Sequence, residues 1–375
     1  MGLRKALKNT GLALLAFWAG GEQAWAGWSL IPAPRFQSGR EAALGGAYLP
    51  IGEDVASALF NNPADVARFK NSHLDTLNVI FYGNRGYTDT LSFGMNGTNL
   101  LDVFALGTSA NTLYSNPYRL SGAGVSVMSG YAFKNLFAVG LLWQTNVAAY
   151  SDGSNVTYRS LYQLIPTASV GTRLASGIVR IGYNVQWVSQ AVTPKAGITL
   201  AHGSTSMSYT NQLYQGSGLS HNAGFAMTLP IAMLPSFNLV ARNILGTTYS
   251  MPSLLTFSPN SPGAPPSDPM SFDASFSLQP KLGSGMYMNW VMEYRDISNT
   301  SGVAPLGRFC LGMELSFADR FFVRAGWGAN YPSMGIGLRY GKGDINLTYY
   351  NEEYGVQYNS FREPRFLGQF LIRAF

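Results

Sequence analysis

From about residue 87 onward the chain is a series of segments of roughly ten residues in which apolar and polar side chains alternate, and the polar face carries charge. In 307–317, Phe309, Leu311, Met313, Leu315 and Phe317 share one face. Arg308, Cys310, Gly312, Glu314 and Ser316 share the other. Residues 320–328 set Phe321, Val323, Ala325 and Trp327 against Arg320, Phe322, Arg324 and Gly326. Residues 286–295 set Met286, Met288, Trp290, Met292 and Tyr294 against Tyr287, Asn289, Val291, Glu293 and Arg295, and 272–281 and 333–340 follow the same rule. Period two means β-strand. A soluble sandwich also alternates, but strands of this length with one apolar and one charged face fit a closed barrel, lipid outside and polar inside.

Composition points the same way. The chain is 46% hydrophobic and only 12% charged, against about 25% charged for ordinary soluble domains. Beyond residue 26 there is no run of about 18 apolar residues, so a transmembrane helix is excluded. The formal charge is +6. Taking away Arg4, Lys5, Lys8 and Glu22 (three cations, one anion) leaves +4 for residues 27–375. No Lys/Arg tract accompanies that surplus, which excludes a nucleic-acid partner and suits contact with outer-membrane lipid, lipopolysaccharide or an acidic solute. Cys310 is the single cysteine, so no intramolecular disulfide is available.

Residues 1–26 read as a cleaved signal peptide: Arg4, Lys5 and Lys8, an apolar stretch Gly11–Ala19, then Ala24-Trp25-Ala26. With the terminal Phe375, this predicts export to the outer membrane of a Gram-negative bacterium and recognition by its barrel-assembly machinery. Short turns at Lys134-Asn135, Ser176-Gly177, Pro230–Pro235, Gly283-Ser284, Asp319-Arg320 and 341–343 alternate with longer connections at 95–119, 149–161, 189–221, 245–270, 297–306 and 353–364. Short turns belong to the periplasm and long loops to the outside. Counting back from Phe375 predicts strands near 365–375, 343–352, 333–340, 320–328, 307–317, 285–296, 271–281, 236–243, 222–229, 178–188, 162–173, 135–148, 120–131 and 87–94. The expected fold is therefore all-β, a 14-stranded antiparallel transmembrane barrel over 73–375. Residues 73–82 are a fifteenth candidate that parity sets aside.

Residues 27–72 do not alternate. Gly45-Gly46 breaks regular structure, 53–60 suits a short helix, and Asn62 caps a second with Pro63 in its first turn. The apolar content (Ala42, Leu44, Leu59, Phe60, Val66, Phe69) favours a partly helical hatch buried in the lumen over a periplasmic tail.

Within this segment, Leu44-Gly45-Gly46-Ala47, Asp54 and Ser57-Ala58-Leu59-Phe60-Asn61-Asn62-Pro63-Ala64 resemble the N-terminal motif of the FadL superfamily of outer-membrane transporters, including its PorV-like branch. Phe237 to Gly246, with Val240-Ala241-Arg242-Asn243-Ile244-Leu245-Gly246, is similar to a further strand-end motif of that branch, and Arg373-Ala374-Phe375 to the family's aromatic terminus. Asp65 stands where the PorV-like branch usually has Gly, and Arg373 where such termini often carry an aromatic. The resemblance implies a fourteen-stranded barrel closed by a hatch, with Gly45, Gly46, Asp54, Asn61, Asn62 and Pro63 as hatch-motif residues. It implies passive uptake of hydrophobic compounds such as long-chain fatty acids. In the PorV-like alternative, the barrel instead serves secretion or attachment of proteins bound at its loops.

Catalytic chemistry is not indicated. Of His73, His202 and His221, the last two fall in the longest loop without acidic neighbours and read as loop residues, and no local catalytic motif surrounds any of the three. No metal-ligand spacing occurs, and neither metal nor cofactor is expected. The lumen-facing registers carry Arg180, Arg242, Arg295, Arg308, Arg324 and Arg339, with Asp273, Glu293, Glu314 and Asp344 on the same side. They could receive a carboxylate head group, or pair among themselves to hold the barrel and hatch together. Two apolar loop clusters, Leu100, Leu101 and Phe104, and Leu254, Leu255 and Phe257, are candidate contacts for a hydrophobic ligand.

Overall fold

The computed structural model describes residues 35–49, 54–85, 120–194, 197–201, 213–254, 261–353 and 362–374. Its strands are β1 (His73–Gly83), β2 (Leu120–Phe133), β3 (Phe137–Ser151), β4 (Asn155–Leu174), β5 (Val179–Val192), β6 (Ile198–Ala201), β7 (Tyr214–Thr228), β8 (Ser236–Arg242), β9 (Ser271–Leu278), β10 (Lys281–Gly283), β11 (Met286–Tyr294), β12 (Phe309–Phe317), β13 (Phe321–Gly328), β14 (Tyr331–Tyr340), β15 (Gly343–Glu353) and β16 (Arg362–Arg373). All but the short β6 and β10 form one closed antiparallel barrel of fourteen strands. β1 closes it, paired with β16 on one side and β2 on the other.

The expected count holds, but its first member differs. Residues 87–94 lie outside the described residues, and the strand completing the fourteen is 73–83. This is the candidate set aside on parity, and a register shift between Asp75 and Asn78 breaks its alternation. The loop expected at 189–221 is wall at both its ends: β5 runs to Val192 and β7 begins at Tyr214, while β6 pairs with the outer end of β4.

The faces are inverted relative to a water-soluble sheet. In β14, Pro332, Met334, Ile336 and Leu338 are exposed while Ser333, Gly335 and Gly337 are buried. In β12, Met313 is exposed while Cys310, Gly312, Glu314 and Ser316 are buried. Apolar residues face outward because lipid solvates them, and polar residues face inward where the lumen satisfies them. Ring pairs Phe133–Phe137, Phe237–Phe276 and Phe317–Phe321, with centroids 5.4, 4.9 and 6.0 Å apart, ring the outer surface just before the short turns. Such a girdle is what a membrane boundary places on a transmembrane barrel.

The wall is uneven. β2, β3, β4, β5 and β7 have 14, 15, 20, 14 and 15 residues. β8, β9, β11, β12 and β13 have only 7, 8, 9, 9 and 8. The outer half of β7 therefore loses its partner β8, and the connection after β8 takes its place: Ser217 and Met251 exchange backbone hydrogen bonds of 2.9 and 3.0 Å. An edge that would otherwise expose unpaired N–H and C=O groups is covered.

Candidate functional site in the plugged lumen

The hatch begins with a capped turn of helix. Ser38 Oγ accepts from the Glu41 N–H at 3.2 Å, and Glu41 Oε2 accepts from the Ser38 N–H at 2.7 Å, a reciprocal capping box that starts α1 (Gly39–Ala43). Gly45 and Gly46 end it at φ 71° and 84°, backbone angles that glycine adopts freely. The turned backbone lies directly on the wall: a Cβ on Gly326 or Gly328 of β13 would overlap the backbone of Leu44 and Gly45. α1 packs on β13–β16. Arg40 anchors it through a two-pronged contact with Glu314, Nε–Oε2 at 2.8 Å and Nη2–Oε1 at 2.5 Å. Arg324 Nε shares Glu314 Oε2 at 2.6 Å.

Tyr48 is the next anchor. Its hydroxyl donates to Asp273 Oδ2, and its ring lies between the guanidinium groups of Arg242 and Arg295, at 4.8 and 4.9 Å. Arg242 Nε meets Asp273 Oδ2 at 2.7 Å, and its other nitrogens donate to the carbonyls of Phe60 at 3.1 Å and Asn61 at 2.9 Å. Glu293 Oε2 accepts the backbone N–H groups of Tyr48 and Leu49, both at 2.9 Å, while Arg295 Nε pairs with Glu293 Oε1 at 3.2 Å. These are buried charges with partners on several sides, the condition under which burying them is tolerable.

The second part of the hatch is held differently. Asp54 Oδ1 accepts from the Ser57 N–H at 2.8 Å and its hydroxyl at 2.5 Å, starting the helical turns through Asn61. Asn62 caps the 3-10 helix Pro63–Arg68 by accepting from the Ala64 N–H at 3.0 Å, as its sequence predicts. These turns lie against β3, β4, β5 and β7. Asn184 and Gln186 both donate to the Leu59 carbonyl, at 2.7 and 3.1 Å. Pro63 sits against Gly182 and Asn62 against Gly224, where any side chain would overlap them. Phe36, Val55, Leu59, Phe60 and Val66 form one apolar cluster with Met128, Leu142, Ile165 and Val188 of the wall. The hatch motif residues Gly45, Gly46, Asp54, Asn61, Asn62 and Pro63 thus act in turns, caps and close approach.

All six lumen arginines are engaged, five of them by a carboxylate or a carbonyl. Besides Arg242, Arg295 and Arg324, Arg308 donates to the Asp296 carbonyl at 2.7 Å over the Tyr294 ring, and Arg339 meets Asp344 at 3.1 Å. Arg324 and Arg339 flank the Phe322 ring at 5.1 and 5.2 Å. Arg180 donates to Thr228 Oγ1 at 3.2 Å. It faces buried Asp65, whose two carboxylate oxygens have no hydrogen-bond donor among the described residues. Burial raises the Asp65 pKa despite Arg68 and Arg180.

Of the loop candidates, Leu254 is part-exposed and bonded through its N–H to Ser189 Oγ at 3.0 Å, at the outer end of β5. Leu100, Leu101, Phe104, Leu255 and Phe257 lie outside the described residues, as does His202. His221 is no loop residue: it stands in β7 on the outward face, with Nδ1 2.6 Å from the Tyr183 hydroxyl. Several anchors escaped the sequence reading, among them Arg40, Tyr48 and the Gln144–Gln163–Gln190 ladder across β3, β4 and β5. Gln190 falls within the loop expected at 189–221, and the alignment of the three glutamines needs strand register.

Glu41 couples the two parts of the hatch, since its Oε1 lies 2.5 Å from Asn61 Nδ2. Burial, reinforced by Asp54, pushes its pKa from 4.5 up to about 8. The folded hatch therefore holds a proton that the undocked one releases above pH 4.5. Docking is then strongest at low pH and weakens as pH rises towards and through about 8. Hydrogen exchange of residues 36–49 should quicken between pH 5 and 9 beyond its intrinsic pH dependence, and Glu41→Gln should remove that excess.

No protein-family model matches the sequence, and neither does any curated protein. The structure is similar to solved ones. The monoaromatic hydrocarbon channel CymD superposes with a TM-score of 0.52 at 9% identity, covering 94% of this chain and 98% of the channel. The Pseudomonas putida toluene transporter TodX gives 0.46 at 10% identity, with 93% and 97% covered. A Pseudomonas aeruginosa FadL homologue gives 0.45 at 12% identity, with 93% and 99% covered. The chain is a closed fourteen-stranded antiparallel barrel, and it shares this fold along nearly its whole length with the hydrocarbon channel CymD.

Proposed function

We propose that the protein is a passive, non-enzymatic outer-membrane channel for hydrophobic small molecules. The observation that carries this is the hatch, packed on the wall from β3 round to β16. A lumen so filled is poorly suited to water-borne ions, which leaves solutes that bind to apolar surface and move by steps. Such a solute gains about 25 cal/mol per Å² of apolar area withdrawn from water.

The engaged arginines refine the substrate class. A fatty-acid carboxylate would have to displace an existing carboxylate or carbonyl from Arg242, Arg295, Arg308, Arg324 or Arg339, so these five favour a neutral hydrocarbon. In liposomes the protein should speed entry of a neutral monoaromatic compound more than that of a long-chain fatty acid. Replacing Leu254, Leu255 and Phe257 together by Ser should weaken hydrocarbon binding about tenfold, the equivalent of roughly 1.4 kcal/mol. Absence of any flux above empty liposomes would sink the channel reading and leave the PorV-like, protein-binding alternative.

A further inference from the structure

The turn between β7 and β8 reads Leu229-Pro230-Ile231-Ala232-Met233-Leu234-Pro235, without one polar side chain. It lies at the short-turn end of the barrel, and Pro230 to Leu234 are all exposed. A bond from the Leu229 N–H to the Pro235 carbonyl (3.0 Å) closes it, and Leu234 N–H to Ile231 O (3.0 Å) braces its tip. Met233 and Leu234 adopt φ 68° and 43°, angles at which glycine or asparagine is the usual occupant. The turn thus holds bulky apolar side chains where the backbone disfavours them, uncovered by any described residue.

Lipid does not explain this. The ring ladder Phe237–Phe276–Trp290, with centroids 4.9 and 6.5 Å apart, marks the membrane boundary on these strands. The tip lies beyond Pro235, farther from the membrane core than Phe237. Neighbouring turns extend the patch with exposed Leu136, Leu174 and Leu282, and Gln279 N–H binds the Met233 carbonyl at 2.6 Å. Around it stand exposed Lys134, Arg173 and Lys281, while 134–136, 175–177, 229–235 and 279–285 contain no carboxylate.

We propose that this half of the periplasmic rim is a docking surface for a water-soluble periplasmic protein whose own face offers an apolar hollow rimmed by carboxylates. The rigid apolar tip supplies the contact area, and the cations select an acidic rim. Such a partner would accept cargo at the exit of the barrel, so the inference rests in part on the channel reading.

The test compares two settings. Ile231→Ser/Met233→Asn/Leu234→Asn and, separately, Arg173→Glu/Lys281→Glu are first checked for heat-modifiable migration; Ile231→Ser alone serves if the triple variant does not assemble. Toluene uptake is then measured in intact cells and in liposomes. Docking predicts at least a fivefold loss in cells for both variants, with liposome flux within twofold of wild type. Unchanged uptake in cells overturns the proposal, and so does an equal loss in liposomes, which would make the turn a membrane or barrel element. A failed channel reading shows itself separately, as no flux by the wild-type protein in liposomes. In that event a benzophenone side chain at position 231 in cells should give one discrete protein adduct that Arg173→Glu/Lys281→Glu abolishes, whereas adducts to lipid alone overturn docking.

Discussion

Deleting residues 27–62 should convert a nearly silent barrel into a conducting one. Fourteen strands enclose a lumen wide enough for a water-filled passage once its contents are gone. The hatch lies on the wall from β3 and β4 through β7 and on to β13–β16, so little open lumen remains. Single-channel conductance in planar bilayers is expected to rise by about an order of magnitude or more. Equal conductance with and without the segment would show that the outer loops, rather than the hatch, set the seal.

The second large effect is expected at Asp273. Its carboxylate receives the Tyr48 hydroxyl, Arg242 Nε at 2.7 Å and the Asp296 N–H at 2.7 Å, and it is fully buried. Asp273→Ala leaves the Arg242 guanidinium buried without its counter-charge, a loss of about 3–5 kcal/mol. Because Arg242 also holds the carbonyls of Phe60 and Asn61, the loss should fall on both parts of the hatch. Faster hydrogen exchange across 36–69 and frequent brief openings should follow. Adding Arg242→Met should restore much of the stability, since the lone charge is then gone. If Asp273→Ala leaves exchange and conductance unchanged, the Tyr48 anchor does not hold the hatch.

Much of this architecture was legible in one dimension. Strict alternation in β12, β13 and β14 gave strand, face and the inward place of the arginines, because a barrel wall repeats one rule for every residue. β1 was harder, since its bulge shifts phase between Asp75 and Asn78 and swaps the faces midway. The cap at Asn62 is local and could be read from Asn-Pro. The anchors could not. Tyr48 meets Arg242 and Asp273 across 194 and 225 positions, and nothing in the spacing of those residues announces it. The arginine faces were therefore visible while their partners were not, and whether they greet a ligand or a neighbour is decided only by packing.

The wall glycines carry one more implication, about order of assembly. The hatch precedes β1 in the chain, and β1 closes the ring by meeting β16. Its backbone presses on Gly182 on one side and on Gly326 and Gly328 on the other, and the Asn62 side chain presses on Gly224, so that a methyl group at any of them would overlap the hatch. A segment fitted that closely to opposite walls cannot be threaded into a finished cylinder. The strands must wrap round it, with the hatch as the form on which the staves are bent. Enlarging Gly182 or Gly328 would then be felt first in the yield of closed barrels, before any solute has crossed one.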